Sequence, residues 1–236
     1  MIRANVRSRL TAGDLQLVIL LLSRGSAQRR AALERRLAAE GPDPLLDAPE
    51  LIERLLAVRT VLVPSETLFF YVMVRHALRS AGIDDRDLSD YLAVLLLEFG
   101  QRDRAWRVDW QDDQRHQYLV DILADLEATE GDRRFRVMVH LGNYSLWLAG
   151  LFPDYIAARH RRKAGPDVRY YDALGRRGFG MASDHALANA YGLGSVLRTA
   201  AERFPSVRGA LNGVSDRVFF PGARTVDRAL RDLGVH

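Results

Sequence analysis

The residues with the clearest capacity for chemistry are grouped in one apolar stretch of the chain. His140, Asn143, Tyr144 and Trp147 follow one another at spacings of three or four residues, so a helix would place all four on one face. The flanking residues are apolar enough to bury that helix, and a buried imidazole, carboxamide or phenol must find hydrogen-bond partners.

Two interpretations of these four candidate ligand-binding residues follow. The simpler one is a structural hydrogen-bond network between helices, and Gly142 and Gly150 support it because they would let a neighbouring helix approach closely. The other is a pocket in which His140 acts as a ligand or acid–base catalyst, while Asn143 and Tyr144 orient a small molecule.

A basic segment with interleaved aromatic residues follows this stretch. Its cationic side chains are candidates for binding an anion: Arg159, Arg161, Arg162, Lys163, Arg169, Arg176 and Arg177. Arginines beside Tyr170 and Tyr171 suit phosphate contact with base stacking. Gly175, Gly178 and Gly180 would make the segment pliable, but their spacing matches neither a dinucleotide fingerprint nor a P-loop. Because cations are also favoured at helix C-termini, a solvated or intramolecular role is the simpler interpretation.

Motifs for metal binding and hydrolysis are weak. Asp112, Asp113 and His116 could place two metal ligands on one helix face, yet the two aspartates are better explained as helix N-caps. The Ser-Asp-His sequence at 183–185 is typical of a capped helix start, and no G-x-S-x-G elbow or H-E-x-x-H motif occurs. The absence of cysteine excludes thiolate metal sites and cysteine nucleophiles. We therefore predict no metal and no cofactor, and no motif indicates a known family.

The elements that must position these residues are helices. Apolar residues recur at helical spacing along nearly the whole chain, which predicts an all-α fold. We expect a compact bundle of roughly ten helices, mostly antiparallel neighbours with short loops. A first helix is predicted to start near Thr11 or Asp14, another over 48–58 with Asp47 as its cap, and another over 114–127 with Tyr118 on its buried side. A long helix is predicted over 132–152, followed by helices over 154–163 and 168–174. A short extended piece is predicted at 61–63, before Pro64, and a final helix over 225–233.

The charged segment 100–113, which contains Trp106 and Trp110, is predicted to be a linker. It would divide the chain into an N-terminal helical lobe over 1–105 and a C-terminal helical lobe over 106–236. One continuous domain is the alternative.

Charge is distributed in three blocks. Residues 1–40 carry +5, residues 41–135 carry −8 and residues 136–236 carry +7, and all but one of the 34 basic residues are arginine. The blocks either offset one another within the fold or provide complementary faces for association.

From this layout and the missing catalytic signatures we expect a non-catalytic interaction or scaffold protein. It would form a homo-oligomer or dock on a partner protein. A small-molecule-binding or catalytic bundle centred on His140, Asn143 and Tyr144 is the alternative. Nucleic-acid binding through residues 159–177 is a weaker alternative, and it would show a strong salt dependence because each phosphate neutralised adds to the salt slope.

The cellular location is predicted from the absence of a membrane-spanning segment and of cysteine. Its apolar run at 15–22 is far shorter than the roughly 20 residues that a membrane span needs, and polar residues interrupt the run at 137–152. The absence of cysteine fits a reducing compartment. We therefore expect a cytoplasmic protein with no membrane association.

Overall fold

The structure, a computed structural model, describes residues 2–58, 64–101, 103–163 and 165–218. Those residues form thirteen α-helices and two short 3₁₀ helices, without a strand, so the predicted all-α bundle is confirmed. The α-helices are α1 (Ala12–Ser23), α2 (Ala27–Glu40), α3 (Asp43–Leu46), α4 (Leu51–Val58), α5 (Glu66–Ser80), α6 (Arg86–Phe99), α7 (Leu119–Ala128), α8 (Gly131–Leu151), α9 (Pro153–Lys163), α10 (Val168–Ser183), α11 (Ala186–Ala190), α12 (Gly194–Glu202) and α13 (Phe204–Val218). The extended piece predicted at 61–63 and the helix predicted over 225–233 lie outside the described residues.

Residue contacts divide the chain into two compact units. The first unit is Ala4–Leu97, and the second unit comprises Met1–Arg3 and Glu98–His236. The division into lobes over 1–105 and 106–236 stays a prediction. In the part of the chain that the structure describes, no helix is both long and apolar enough to cross a membrane.

Local side-chain chemistry fixes the helix ends of the first unit. The Thr11 hydroxyl accepts a hydrogen bond from the backbone of Asp14 at 3.2 Å, and the Asp14 carboxylate accepts one from the backbone of Thr11 at 2.8 Å. This reciprocal pair is a capping box, and it starts α1 where the sequence predicts a helix. The helix ends at Arg24, whose φ of 54° lies in the left-handed region.

Asp47 does not have its predicted role. The sequence indicates that Asp47 caps a helix beginning at residue 48. Instead, the short helix α3 ends at Leu46, directly before Asp47, and α4 begins at Leu51. The Asp47 carboxylate instead binds the buried Arg75, with Nε–Oδ1 and Nη2–Oδ2 distances of 2.8 and 3.0 Å. An ion pair with a buried guanidinium satisfies this carboxylate better than a surface cap would.

Basic and acidic residues of the first unit pair with one another. Arg7, from the basic N-terminal block, contacts Asp87 at 2.8 Å, and its backbone N–H donates to the Asp90 carboxylate at 2.8 Å. Arg75 also pairs with Asp84. The contrast between the first two charge blocks is therefore at least partly an intramolecular arrangement.

Helix α8 lies at the centre of the second unit, where α7, α9, α10 and α13 contact it. A Cβ atom on Gly178 of α10 would lie 2.7 Å from the backbone nitrogen of Gly142 and 2.8 Å from the carbonyl oxygen of Met138. A Cβ on Gly150 would lie 2.9 Å from Leu211 of α13. The prediction that glycines in this helix permit close helix packing is confirmed.

Side chains of α13 satisfy the last carbonyl groups of α8. The Asn212 amide donates to the carbonyl oxygens of Ala149 and Gly150 at 2.9 and 2.7 Å, and the Ser215 hydroxyl donates to Leu151 at 2.7 Å. These carbonyls have no partner within their own helix. These two side chains of α13 thus fix the end of α8.

The segment after Tyr171, predicted to be pliable, is part of one continuous helix from Val168 to Ser183. Gly175 and Gly178 serve packing, because a Cβ on Gly175 would lie 2.1 Å from the ring of Phe204 and a Cβ on Gly178 would lie against the backbone of α8. Tertiary contacts of buried glycines therefore override their low helix propensity. Arg176 and Arg177 lie on an exposed helix face and not in a loop.

Candidate ligand-binding site

A cleft of about 690 Å³ lies within the second unit. Helix α8, helix α9, the start of α10 and the segment preceding α7 form its walls, and we call it the aromatic cleft. Eight of its described lining residues are aromatic: Trp106, Tyr118, Tyr144, Trp147, Phe152, Tyr155, Tyr170 and Tyr171. Arg159 is the charged residue among those lining residues.

Helix α8 contributes Tyr144 and Trp147. The Tyr144 hydroxyl donates a hydrogen bond to the carbonyl oxygen of Gln117 at 2.8 Å. The Trp147 ring lies 6.1 Å from that of Tyr144 and 5.0 Å from that of Phe152, between centroids. Burial raises the pKa of Tyr144 to about 12, so its hydroxyl remains protonated at neutral pH. The wall of the cleft that α8 forms therefore consists of uncharged aromatic rings.

The segment before α7 differs from its prediction. A helix is predicted from residue 114 with Tyr118 on its buried side, but α7 begins at Leu119 and Tyr118 is 51% exposed. The Asp121 carboxylate accepts a hydrogen bond from the backbone of Tyr118 at 3.1 Å, which marks the helix start. The backbone N–H of His116 donates to Trp106 at 2.7 Å and joins this segment to the short 3₁₀ helix Arg104–Trp106.

Arg159 of α9 lies beside the ring of Tyr118. Its guanidinium carbon is 5.4 Å from the centre of that ring, a cation–π distance. The aliphatic stem packs on Gly165, where a Cβ would lie 3.0 Å from Cγ of Arg159. The His160 Nδ1–H donates to the Gly165 carbonyl oxygen at 2.7 Å. Among the described residues, no carboxylate forms an ion pair with Arg159.

His140 and Asn143 lie behind the cleft and do not line it. Each is 3% exposed, and both border a separate cavity of about 10 Å³ with Arg104 and Arg136. Burial, with Arg104, lowers the pKa of His140 well below 6.5. The ring of His140 contacts that of Tyr144 at 6.0 Å between centroids. A neutral His140 therefore supports the wall that carries Tyr144.

Asp112 and His116 belong to an ion-pair network. The Asp125 carboxylate lies 3.2 Å from His116 Nε2 and accepts from Arg133 at 2.6 Å, and Arg133 also donates to Asp112 at 2.6 Å. The predicted capping role of Asp112 is wrong for α7, because Asp112 accepts instead from the backbone of Asp109 at 2.9 Å. Within the described ranges, no group of three or more metal-ligating side chains could hold an ion.

The predicted anion-binding residues fall in different places. Arg161 and Arg162 are exposed at the end of α9, and the side chain of Lys163 lies outside the described atoms. Arg169, Arg176 and Arg177 are exposed on α10, and the last two border a shallow groove with Glu202. Among the predicted anion-binding residues whose side chains the structure describes, Arg159 is the one that borders the aromatic cleft.

The structure thus joins Tyr144 and Trp147 from one predicted group with Arg159 from the other. Sequence reasoning missed Trp106, Tyr118 and Tyr155 as members of the same site. One signal was present in the sequence, because Tyr155 and Arg159 are four residues apart and share a helix face. The contributions of Trp106 and Tyr118 depend on a non-helical segment and had no periodic signal.

Comparisons with protein families, with curated proteins and with solved structures found no match for this chain.

Proposed function

We propose that the second unit binds a small organic molecule in the aromatic cleft. The observation that carries this proposal is the combination of a volume of about 690 Å³ with a lining dominated by eight aromatic side chains. Small-molecule sites usually have volumes of ~300–1,000 Å³ and are mostly apolar, with a few polar groups that orient the ligand. Aromatic rings favour stacked or edge-on contact with another ring.

The lining supports binding more than catalysis. The described lining residues supply ring faces, the phenol groups of Tyr118, Tyr155 and Tyr170, and the guanidinium of Arg159. Arginine stays protonated under all physiological conditions, and the raised pKa of Tyr144 keeps its hydroxyl neutral. The described lining residues include no histidine, lysine or carboxylate, which are the side chains that most often transfer protons in catalysis.

The proposal is tested with the neutral dye N-phenyl-1-naphthylamine, whose emission increases in an apolar site. We expect saturable binding of one dye per chain. Trp147→Leu removes a ring of the cleft and should weaken binding about tenfold, which corresponds to ~1.4 kcal/mol. Trp110→Leu is the matched control, because Trp110 is 47% exposed and does not line the cleft. An absence of saturable binding, or equal losses in the two variants, would contradict the proposal.

A second candidate function is self-association through the rim of the cleft. Tyr118, Val120 and Tyr155 line the cleft and are 51%, 59% and 53% exposed, and exposed apolar patches often mark contact surfaces. Native mass spectrometry at micromolar concentration should then show a defined oligomer that Val120→Glu dissociates. A monomer across that range would contradict this candidate. Association by charge would weaken with added salt, whereas apolar association would not.

A further inference from the structure

Arg159 differs from Arg133 and Arg208, two other half-buried arginines of the second unit. Arg133 donates to Asp112 and Asp125, and Arg208 donates to Asp172 at 2.8 Å. Arg159 has no such carboxylate among the described residues, and its guanidinium lies against the ring of Tyr118. A cation in a mostly apolar cleft is best stabilised by an anion of opposite charge.

The arrangement of Arg159 leaves hydrogen-bond donors available. A guanidinium that stacks on a ring through its face keeps its N–H groups in its own plane, where they can contact a carboxylate or sulfonate in a fork. Packing of the stem on Gly165 restricts where the group lies. Less side-chain entropy is then lost when an anion binds.

The number of charges in the cleft limits the charge of the ligand. Arg159 is the single cation among the described lining residues. It can neutralise one negative charge, whereas a triphosphate or a nucleic-acid backbone would bring several charges into surroundings of aromatic rings. Uncompensated charges in such surroundings are costly. A polyanion is therefore a poor fit to the cleft.

We infer that the ligand of the aromatic cleft is a monoanionic organic acid with one or more planar rings, and that Arg159 binds its acidic group. This inference rests on the proposed function, and it adds the chemical class of the ligand. The rings of the ligand contact the aromatic walls, and its carboxylate or sulfonate contacts the guanidinium.

The inference is tested with two dyes that differ by a single group. 8-Anilinonaphthalene-1-sulfonate is N-phenyl-1-naphthylamine with a sulfonate added. The full chain should bind the sulfonate at least tenfold more tightly than the neutral dye, since a hydrogen bond to a charged group contributes ~1.5–3 kcal/mol. Arg159→Gln should remove this preference, so that the variant binds the two dyes equally tightly. Saturable binding of the neutral dye by this variant shows that its cleft is formed.

Arg162→Gln is the matched control, because Arg162 is exposed on the same helix and does not line the cleft. It should leave both affinities unchanged. Equal affinities for the two dyes, or an equal loss with Arg162→Gln, would overturn the inference and leave the proposed function intact. Displacement of the sulfonate dye by an equal concentration of adenosine triphosphate would overturn the monoanion assignment. If neither dye binds, the proposed function fails and the inference fails with it.

Discussion

Two arginines, one in each unit, have different surroundings. In the first unit, Arg75 is completely buried and binds Asp47 and Asp84. In the second unit, Arg159 is half-buried, and its described neighbours in the aromatic cleft are rings and phenols. The same side chain is thus a structural element where carboxylates surround it, and a candidate ligand-binding group where they do not.

The largest predicted effect is on stability in the first unit. Arg75→Met leaves Asp47 without its buried partner, and breaking a buried ion pair from one side costs ~3–5 kcal/mol. The same substitution at Arg159 breaks no described ion pair and should change the free energy of unfolding by less than ~0.5 kcal/mol. Urea denaturation, monitored by circular dichroism, measures the free energy of unfolding of both variants. Equal losses of stability would remove the contrast between the two arginines.

A slightly smaller effect is predicted for the helix contact behind the cleft. Gly178→Ala would place a methyl group against the backbone of α8, and overpacking of this kind costs ~1–3 kcal/mol. Gly180 lies on the same helix, and a Cβ atom there would meet nothing within 4 Å. Gly180→Ala should therefore stabilise the protein by ~0.5–1 kcal/mol through helix propensity alone. The midpoint temperature of thermal unfolding should fall for Gly178→Ala and rise for Gly180→Ala. A lower midpoint for both variants would contradict the packing shown for α8 and α10.

The next effect is a pH dependence that arises from His140. Its pKa is lowered in the folded state, so the unfolded chain binds more protons as the pH falls through 6.5. Stability from this group is therefore present above pH 6.5 and is lost below it, by up to ~2 kcal/mol between pH 7 and pH 5. His140→Met should reduce the pH dependence of the free energy of unfolding by that amount. An unchanged pH profile would contradict this, because it would mean that the pKa of His140 is the same in the folded and the unfolded chain.

The fold class could be predicted from the sequence because helical periodicity is a local property. The first turn of α1, with its Thr11–Asp14 capping box, follows from side chains three residues apart. Asp47 was assigned incorrectly, because its partner Arg75 is 28 residues away in sequence. The fully helical α10 was missed for a related reason, since Gly175 and Gly178 are explained by contacts with Phe204 and α8 and not by helix propensity.

The candidate site could be predicted only in part. Tyr144 and Trp147 share a helix face, so their common location follows from periodicity. Their separation from His140 and Asn143 depends on how neighbouring helices cover α8, which a single sequence does not determine. Arg159 lies against Tyr118 and Gly165, so its place in the site depends on how the chain folds between α9 and α10.

The most direct test of the binding site uses the indole N–H signals of the three tryptophans in a ¹⁵N-labelled sample. Trp106 and Trp147 line the aromatic cleft, whereas Trp110 does not. Saturation with 8-anilinonaphthalene-1-sulfonate should shift the signals of Trp106 and Trp147 and leave that of Trp110 in place, because ring-current effects act only near the bound dye. Single Trp→Phe variants assign the three signals. A shift of Trp110 without one of Trp147, or no shift at all, would contradict ligand binding in the aromatic cleft.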